Sequence, residues 1–302
     1  MTEGDLPPSS GIGRVALAVG DLDETVAFYR DVVGLQVRSR GEDGDRGAGE
    51  DGDAGGAGSD GTATLGTAER PLLELQADPG APARPETATG LFHTAFRVPS
   101  RAALGDALER AREHWQLTGA SDHLVSEALY LRDPEGNGVE IYCDRPRAEW
   151  PTTDDGRVAM TTDPLNLDAL AAESTGAESV PAGSDVGHVH LEVTSLDSAQ
   201  SFYGDALGMN VRQAMSGALF LAAGEYHHQV GCNVWNGRTE PAEGRGLAWF
   251  EVVVPGDALT AVRERFETED VAVEDIPDEP GADGVVVTDP DGIELRIQPA
   301  SE

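Results

Sequence analysis

Residues 19–38 read VGDLDETVAFYRDVVGLQVR, and residues 193–212 read VTSLDSAQSFYGDALGMNVR. At a constant offset of 174, Val, Leu, Asp, Phe, Tyr, Asp, Gly, Val and Arg recur. A second pair follows at an offset of 156, where GLFHTAFRVPSRAAL from Gly90 matches GLAWFEVVVPGDALT from Gly246. DPEGNGVEIY from Asp133 then echoes DPDGIELRI from Asp289, read with two residues deleted so that Glu140 aligns with Glu294. Self-similarity at this scale is the mark of a repeated structural unit.

Each copy has the same local grammar. An alternating strand comes first, RVALAV (14–19) or HVHLEV (188–193). A capping residue follows, Asp21 or Ser195, and then a helix whose apolar positions in the first copy are Leu22, Val26, Tyr29 and Val33. Gly34 and Gly208 stand where those helices stop, and the other two copies start their helices at Ser100 and Asp257. Strand signals resume and end in a DPxG turn before a last strand at 139–143 or 293–297. The expected fold is α+β: four βαβββ modules, at 12–78, 90–146, 186–237 and 246–299, forming two cupped β-sheets flanked by helices. Two domains are expected, 12–146 and 186–299, joined by an acidic connector at 147–185. Residues 41–61 have almost nothing to bury and read as a disordered hairpin loop.

Composition narrows the function classes. No stretch approaches the roughly 18 apolar residues of a membrane span, and the N-terminus lacks the basic and apolar regions of a secretory signal. The expected location is the cytoplasm, with homo-oligomerisation left open. Cys143 and Cys232 cannot build a disulfide framework, and Cys143 reads as a small buried hydrophobe. All 21 basic residues are arginine against 55 acids, a net charge of −34. No basic stripe offers itself to phosphates, which argues against nucleic acid.

The LDxxxxFYxDxxG helix, the GLFH strand and the DPEGNGVEIY ending resemble the vicinal-oxygen-chelate superfamily of glyoxalases, bleomycin-resistance proteins and extradiol dioxygenases. GASDHLVSEALYLRDPEGNGVEIYCDRPR (119–147) and EYHHQVGCNVWNG (225–237) are more narrowly similar to the bacterial catechol 2,3-dioxygenase group. The resemblance implies an open site for one divalent metal in a cupped sheet, with ligands from the first and last strands of paired modules. For the dioxygenases the metal is Fe(II), with Mn, Ni or Zn as other divalent candidates, and the partners are a small aromatic diol and O2.

Strand alternation says which residues face a cup. Val189, Leu191 and Val193 belong to the core, so His188 and His190 face the other way; likewise Glu140 and Tyr142 oppose Val139, Ile141 and Cys143, and His93 opposes Phe96 and Val98. First-strand positions carry Arg14, His93, His188 and Trp249, and last-strand carboxylates are Glu140 and Glu294. Pairing modules one with two and three with four gives two incomplete sites. Pairing two with three gathers His93, Glu140 and His188, and leaves Arg14, Trp249 and Glu294 as an ion-pair filler in the other cup. Conventional pairing with a water-completed site, and no metal at all, stay open.

Resemblance also marks His123 and Tyr130 as polar residues near substrate, and the His227–His228 pair as the place of an acid–base histidine. Adjacent strand residues face opposite ways, so one of that pair is expected in the cup, His228 in preference. His190 is expected to be structural or to lie behind the ligands, His114 to be a surface residue, and the Phe28-Tyr29 and Phe202-Tyr203 pairs to be core. Three activities remain in view: an extradiol dioxygenase, a glyoxalase- or epimerase-like metal enzyme, and a non-catalytic binder of small aromatics working through Arg14 and Trp249.

A dispersed acidic excess suits a halophilic surface, because concentrated salt screens like-charge repulsion beyond a few Å. Unfolding midpoints measured from multimolar to millimolar salt are therefore expected to fall steeply as salt is removed. A midpoint indifferent to salt would contradict that reading.

Overall fold

The computed structural model describes residues 5–41, 61–153, 158–276 and 284–300. The first module contains β1 (Gly11–Val19), α1 (Leu22–Phe28), β2 (Gln36–Gly41), β3 (Thr62–Gly66) and β4 (Pro71–Ala77). The second contains β5 (Gly90–Arg97), α2 (Arg101–His114), β6 (Gly119–Asp122), β7 (Ser126–Arg132) and β8 (Gly138–Asp144). After the connector elements β9 (Asp163–Pro164) and α3 (Leu167–Ala171), the third module has β10 (Asp185–Glu192), α4 (Leu196–Ala199), β11 (Asn210–Met215), β12 (Ala218–Ala222) and β13 (Val230–Asn233). The fourth has β14 (Gly246–Val254), α5 (Leu259–Thr268), β15 (Glu274–Asp275), β16 (Val285–Thr288) and β17 (Glu294–Pro299).

The local signals act as their chemistry demands. Asp21, Ser100 and Ser195 each accept the backbone N–H three residues on, satisfying a donor the first helical turn leaves free. Gly34 takes φ 90° and Gly208 φ 89°, the left-handed exit that a Cβ would oppose. Two helices depart from expectation: α1 and α4 continue as wider π-helical turns over Tyr29–Val33 and Gln200–Ala206. The last helix also starts late, because Gly256–Ala258 winds as a 3-10 turn with no side-chain cap. The strands flanking the acidic loop pair as a hairpin, with Gly41 opposite Thr62, while residues 42–60 of that loop lie outside the described residues.

The modules pair across the chain. One sheet runs β15-β16-β17-β14-β1-β4-β3-β2, joining the fourth module to the first. The other runs β11-β12-β13-β10-β5-β8-β7-β6-β9, joining the third to the second. The halves 12–146 and 186–299 are therefore each divided between the two sheets. What ties each half together is the helix layer. Tyr29 donates its hydroxyl to Asp133 Oδ2 at 3.1 Å, and Tyr203 donates to Asp289 Oδ2 at 2.8 Å, linking an FY helix to the DP turn of the next module. Burial raises both carboxyls, that of Asp289 to about 6.

The larger of two buried clusters among the described residues draws residues from both sheets and from the helices. Val15, Leu17, Val189, Leu191, Tyr29, Phe96, Tyr203 and Phe250 all belong to it. The connector joins in: β9 extends the second sheet beyond β6, and Leu170 of α3 is buried against α2. No helix among the described residues is long and apolar enough to cross a membrane.

Because Asp289 also accepts the Asp291 and Ile293 N–H groups, Tyr203→Phe strips one donor from a buried carboxyl and is expected to cost about 1–3 kcal/mol. Urea denaturation measures this, and an unchanged midpoint would show that the tyrosine–aspartate tie carries no stability.

Candidate metal centre

The antiparallel pair β5–β10 builds the floor of the second cup, with His190 opposite His93 and His188 opposite Ala95. On the other side of β5, parallel β8 sets Glu140 beside Ala95 and Gly138 beside His93. Gly138 has a steric role, because a Cβ there would stand 2.0 Å from the Phe92 carbonyl oxygen and 2.8 Å from His93 Cβ. Glycine lets the two strands close next to the histidine.

Three side chains meet there. Glu140 Oε2 lies 3.0 Å from His93 Nε2 and 3.2 Å from His188 Nε2, and the two Nε2 atoms are 3.2 Å apart. All three residues are buried. They are the one group of three or more His, Cys, Asp or Glu side chains among the described residues whose donor atoms gather this closely. The spacing fits a metal, since bonds of about 2.1 Å at right angles put neighbouring donors about 3.0 Å apart. Burial lowers the His188 imidazole to about 4 despite Glu140, leaving a neutral ring with a lone pair to give. Burial alone would raise the Glu140 carboxyl, but His188 and His93 outweigh it and hold it well below the ordinary value. Two imidazoles and one carboxylate suit a divalent cation with open positions.

Above this triad a cavity of about 510 Å³ is walled by Phe92, Phe220, Trp235 and the polar groups His123, Tyr130, His190, His227 and His228. His123 Nδ1 bonds the Thr161 carbonyl at 2.6 Å, so that nitrogen carries the proton, and Nε2 accepts from the Tyr130 hydroxyl at 2.7 Å. Tyr130 sits across from Glu140 on β7, and its phenol is raised well above 10 by burial and by that carboxylate. His190 is buried, pushed well below its ordinary value by burial and by His93, and its Nε2 has no hydrogen-bond partner. Both His227 and His228 line the cavity, contrary to the expectation of one. They lie in the turn before β13, where strand alternation does not apply.

Several participants lack a local sequence signal. Met160, Thr161 and Thr162 come from the connector, which has no role in the repeat. Asp144, at the end of β8, bonds His227 Nε2 at 3.0 Å. Burial would raise its carboxyl, but His227 and Arg97 hold it below the ordinary value. The facing argument did reach Tyr142, whose hydroxyl shares a hydrogen bond with Tyr226 at 2.8 Å.

The first cup corrects the alignment of the last strands. Its register sets Trp249 beside Glu294 and Glu251 beside Arg296. With His93 matching Trp249 at the offset of 156, Glu140 matches Arg296 and Gly138 matches Glu294, so nothing is deleted. The turn agrees: Asp133 N–H bonds the Asn137 carbonyl and Asp289 N–H that of Ile293. Arg14 pairs with Glu251 at 2.5 Å and Arg296 with Glu294 at 2.8 Å, so Glu294 is not the partner of Arg14. Trp249 is buried, with Arg14 5.4 Å and Arg296 4.1 Å from its ring. Such a filled cup offers no open stacking face to an aromatic ligand.

Comparison with known proteins agrees with this geometry. The family model described as the Glyoxalase/Bleomycin resistance protein/Dioxygenase superfamily matches residues 11–141 and 185–297. A catechol-2,3-dioxygenase of Bacillus subtilis (strain 168) is 37% identical over 274 residues, covering 87% of this chain and 90% of that protein. Among solved structures, a putative dioxygenase from Bacillus subtilis subsp. subtilis str. 168 superposes with a TM-score of 0.63 at 13% identity, covering 99% of this chain and 87% of the other. Glyoxalase I from Zea mays gives 0.58 at 17% identity, covering 96% and 92%. At those identities the two structures speak for the fold alone. The sequence matches go further: the chain belongs to the Glyoxalase/Bleomycin resistance protein/Dioxygenase superfamily.

Proposed function

We propose that this chain is an extradiol ring-cleaving dioxygenase that opens a catechol-like substrate with O2 at a mononuclear Fe(II) site. The observation that carries the reading is the meeting of His93, Glu140 and His188 at the floor of an aromatic-walled cavity. Fe(II) held there would supply adjacent positions for a vicinal diol and O2 and a route for electrons between them. The 37% identity with a catechol-2,3-dioxygenase supports the same choice. Working in the cytoplasm is part of the proposal, and the two buried free cysteines are consistent with it.

The chain's own residues divide the remaining work. Phe92, Phe220 and Trp235 give an aromatic ring flat partners and keep water from the floor. His228 has one ring nitrogen bonded to His227 and the other free to take a hydroxyl proton from a diol and return it later. Burial keeps His228 well below its ordinary value, so it waits as a neutral base. Tyr130, held by His123, presents a protonated phenol near the ligand carboxylate Glu140. A glyoxalase- or epimerase-like proton transfer gains less support, because Glu140 is the single carboxylate among the described residues lining the cavity.

Anaerobic loading with Fe(II), followed by catechol and air, is expected to give a yellow ring-opened product and about one iron per chain. Removing the metal with a chelator should abolish turnover. His188→Ala is expected to lose bound iron along with activity. Colourless catechol with iron fully bound would overturn the dioxygenase assignment, and stoichiometric iron in His188→Ala would place the ligands elsewhere.

A further inference from the structure

The cavity wall holds a hydrogen-bond chain whose direction is fixed at its far end. Asp144 Oδ2 receives Arg97 Nη1 at 3.1 Å and the Tyr226 hydroxyl at 2.9 Å, and Oδ1 faces His227 Nε2 at 3.0 Å. A carboxylate only accepts, so His227 carries its proton on Nε2. Arg97, which also pairs with Asp185, already sets one guanidinium against Asp144, and His227 is buried among Tyr142, Trp150, Tyr226 and His188, where a second cation is costly. A neutral His227 has a bare Nδ1. That atom lies 2.7 Å from His228 Nδ1, which must then be the donor.

We infer that Asp144 and His227 are positioning residues that lock His228 in the tautomer with Nδ1 protonated and Nε2 bare toward the cavity. The catalytic consequence rests on the dioxygenase reading: a bare Nε2 can take a proton from a catechol hydroxyl, forming N–H as O–H breaks, with the electron pair left on the catecholate oxygen. A His228 with its proton on Nε2 would hold a neutral ring in the same place and accept nothing. The arrangement follows the general logic by which a carboxylate behind a histidine sets which ring nitrogen is free.

Asp144→Asn tests this with an almost isosteric change. The Arg97 side demands an acceptor, so the amide oxygen turns there and the amide N–H faces His227 Nε2. The chain then reverses: His227 protonates on Nδ1 and donates to His228 Nδ1, and the His228 proton moves to Nε2. The measurement is a long-range 1H–15N correlation on full-length, zinc-loaded protein labelled with 15N-histidine, His228 being assigned by its loss in His228→Gln. The expected result is an unprotonated Nε2 at His228 in the wild type and a protonated one in Asp144→Asn, at equal zinc content. With Fe(II), kcat should drop about 100-fold with little change in KM. His227→Phe, which severs the chain without reversing it, should give a mixture of tautomers and a smaller loss. Protonated Nε2 in the wild type, or the same tautomer in Asp144→Asn, would overturn the inference. Because the tautomer is read in the zinc protein, a failure to cleave catechol would sink the dioxygenase reading and leave this result standing by itself.

Discussion

Everything in the second sheet depends on one antiparallel seam, β5 against β10. It joins strands about ninety residues apart in the chain and sets His93 opposite His190 and His188 opposite Ala95. The side-chain period of a strand is two, so a one-residue slip of β10 against β5 would turn His188 and His190 into the core and the valines and leucines of β10 into the cavity. The apolar faces on the other side forbid that slip. The seam therefore fixes the donor geometry through the hydrophobic core, and the parallel placement of β8 adds Glu140 at hydrogen-bonding distance.

The same seam exists between β1 and β14, and its contents show what the duplicated fold does with a cup that holds no ligand set. At the positions of His188, His93 and Glu140 stand Arg14, Trp249 and Arg296. Two guanidiniums flank the indole, and Glu251 and Glu294 accept from them. Positive charges fixed by the chain occupy the ground a cation would take, and the cluster satisfies its own polar groups apart from the Trp249 N–H. One cup gathers two histidines and a glutamate and the other is filled, by substitution at three equivalent positions on one scaffold.

Much of this was legible in the residues. The FY helices, their caps and the repeat offsets gave the modules, and alternation in HVHLEV, VEIYC and GLFH gave the facing of His188, Glu140 and His93. The pairing of modules two and three came from asking which combination completes a metal site, a chemical constraint and not a local signal. Where the reading erred, the cause was local. Sliding Glu294 onto Glu140 required a deletion that strand register does not contain. Treating His227 and His228 as strand residues imposed an alternation that a turn does not obey. The connector's Thr161, which accepts from His123, and Asp144 behind His227 are long-range placements, and no spacing in the chain announces them.

The central claim is a single metal held between modules two and three, with none in the filled cup. Anomalous diffraction from crystals of the iron-loaded protein, recorded on both sides of the iron edge, tests it most directly. The account predicts one peak per chain, within bonding distance of His93 Nε2, His188 Nε2 and Glu140 Oε2. A peak beside Arg14, Trp249 and Glu294, or no ordered peak in crystals of protein that carries stoichiometric iron, would contradict it.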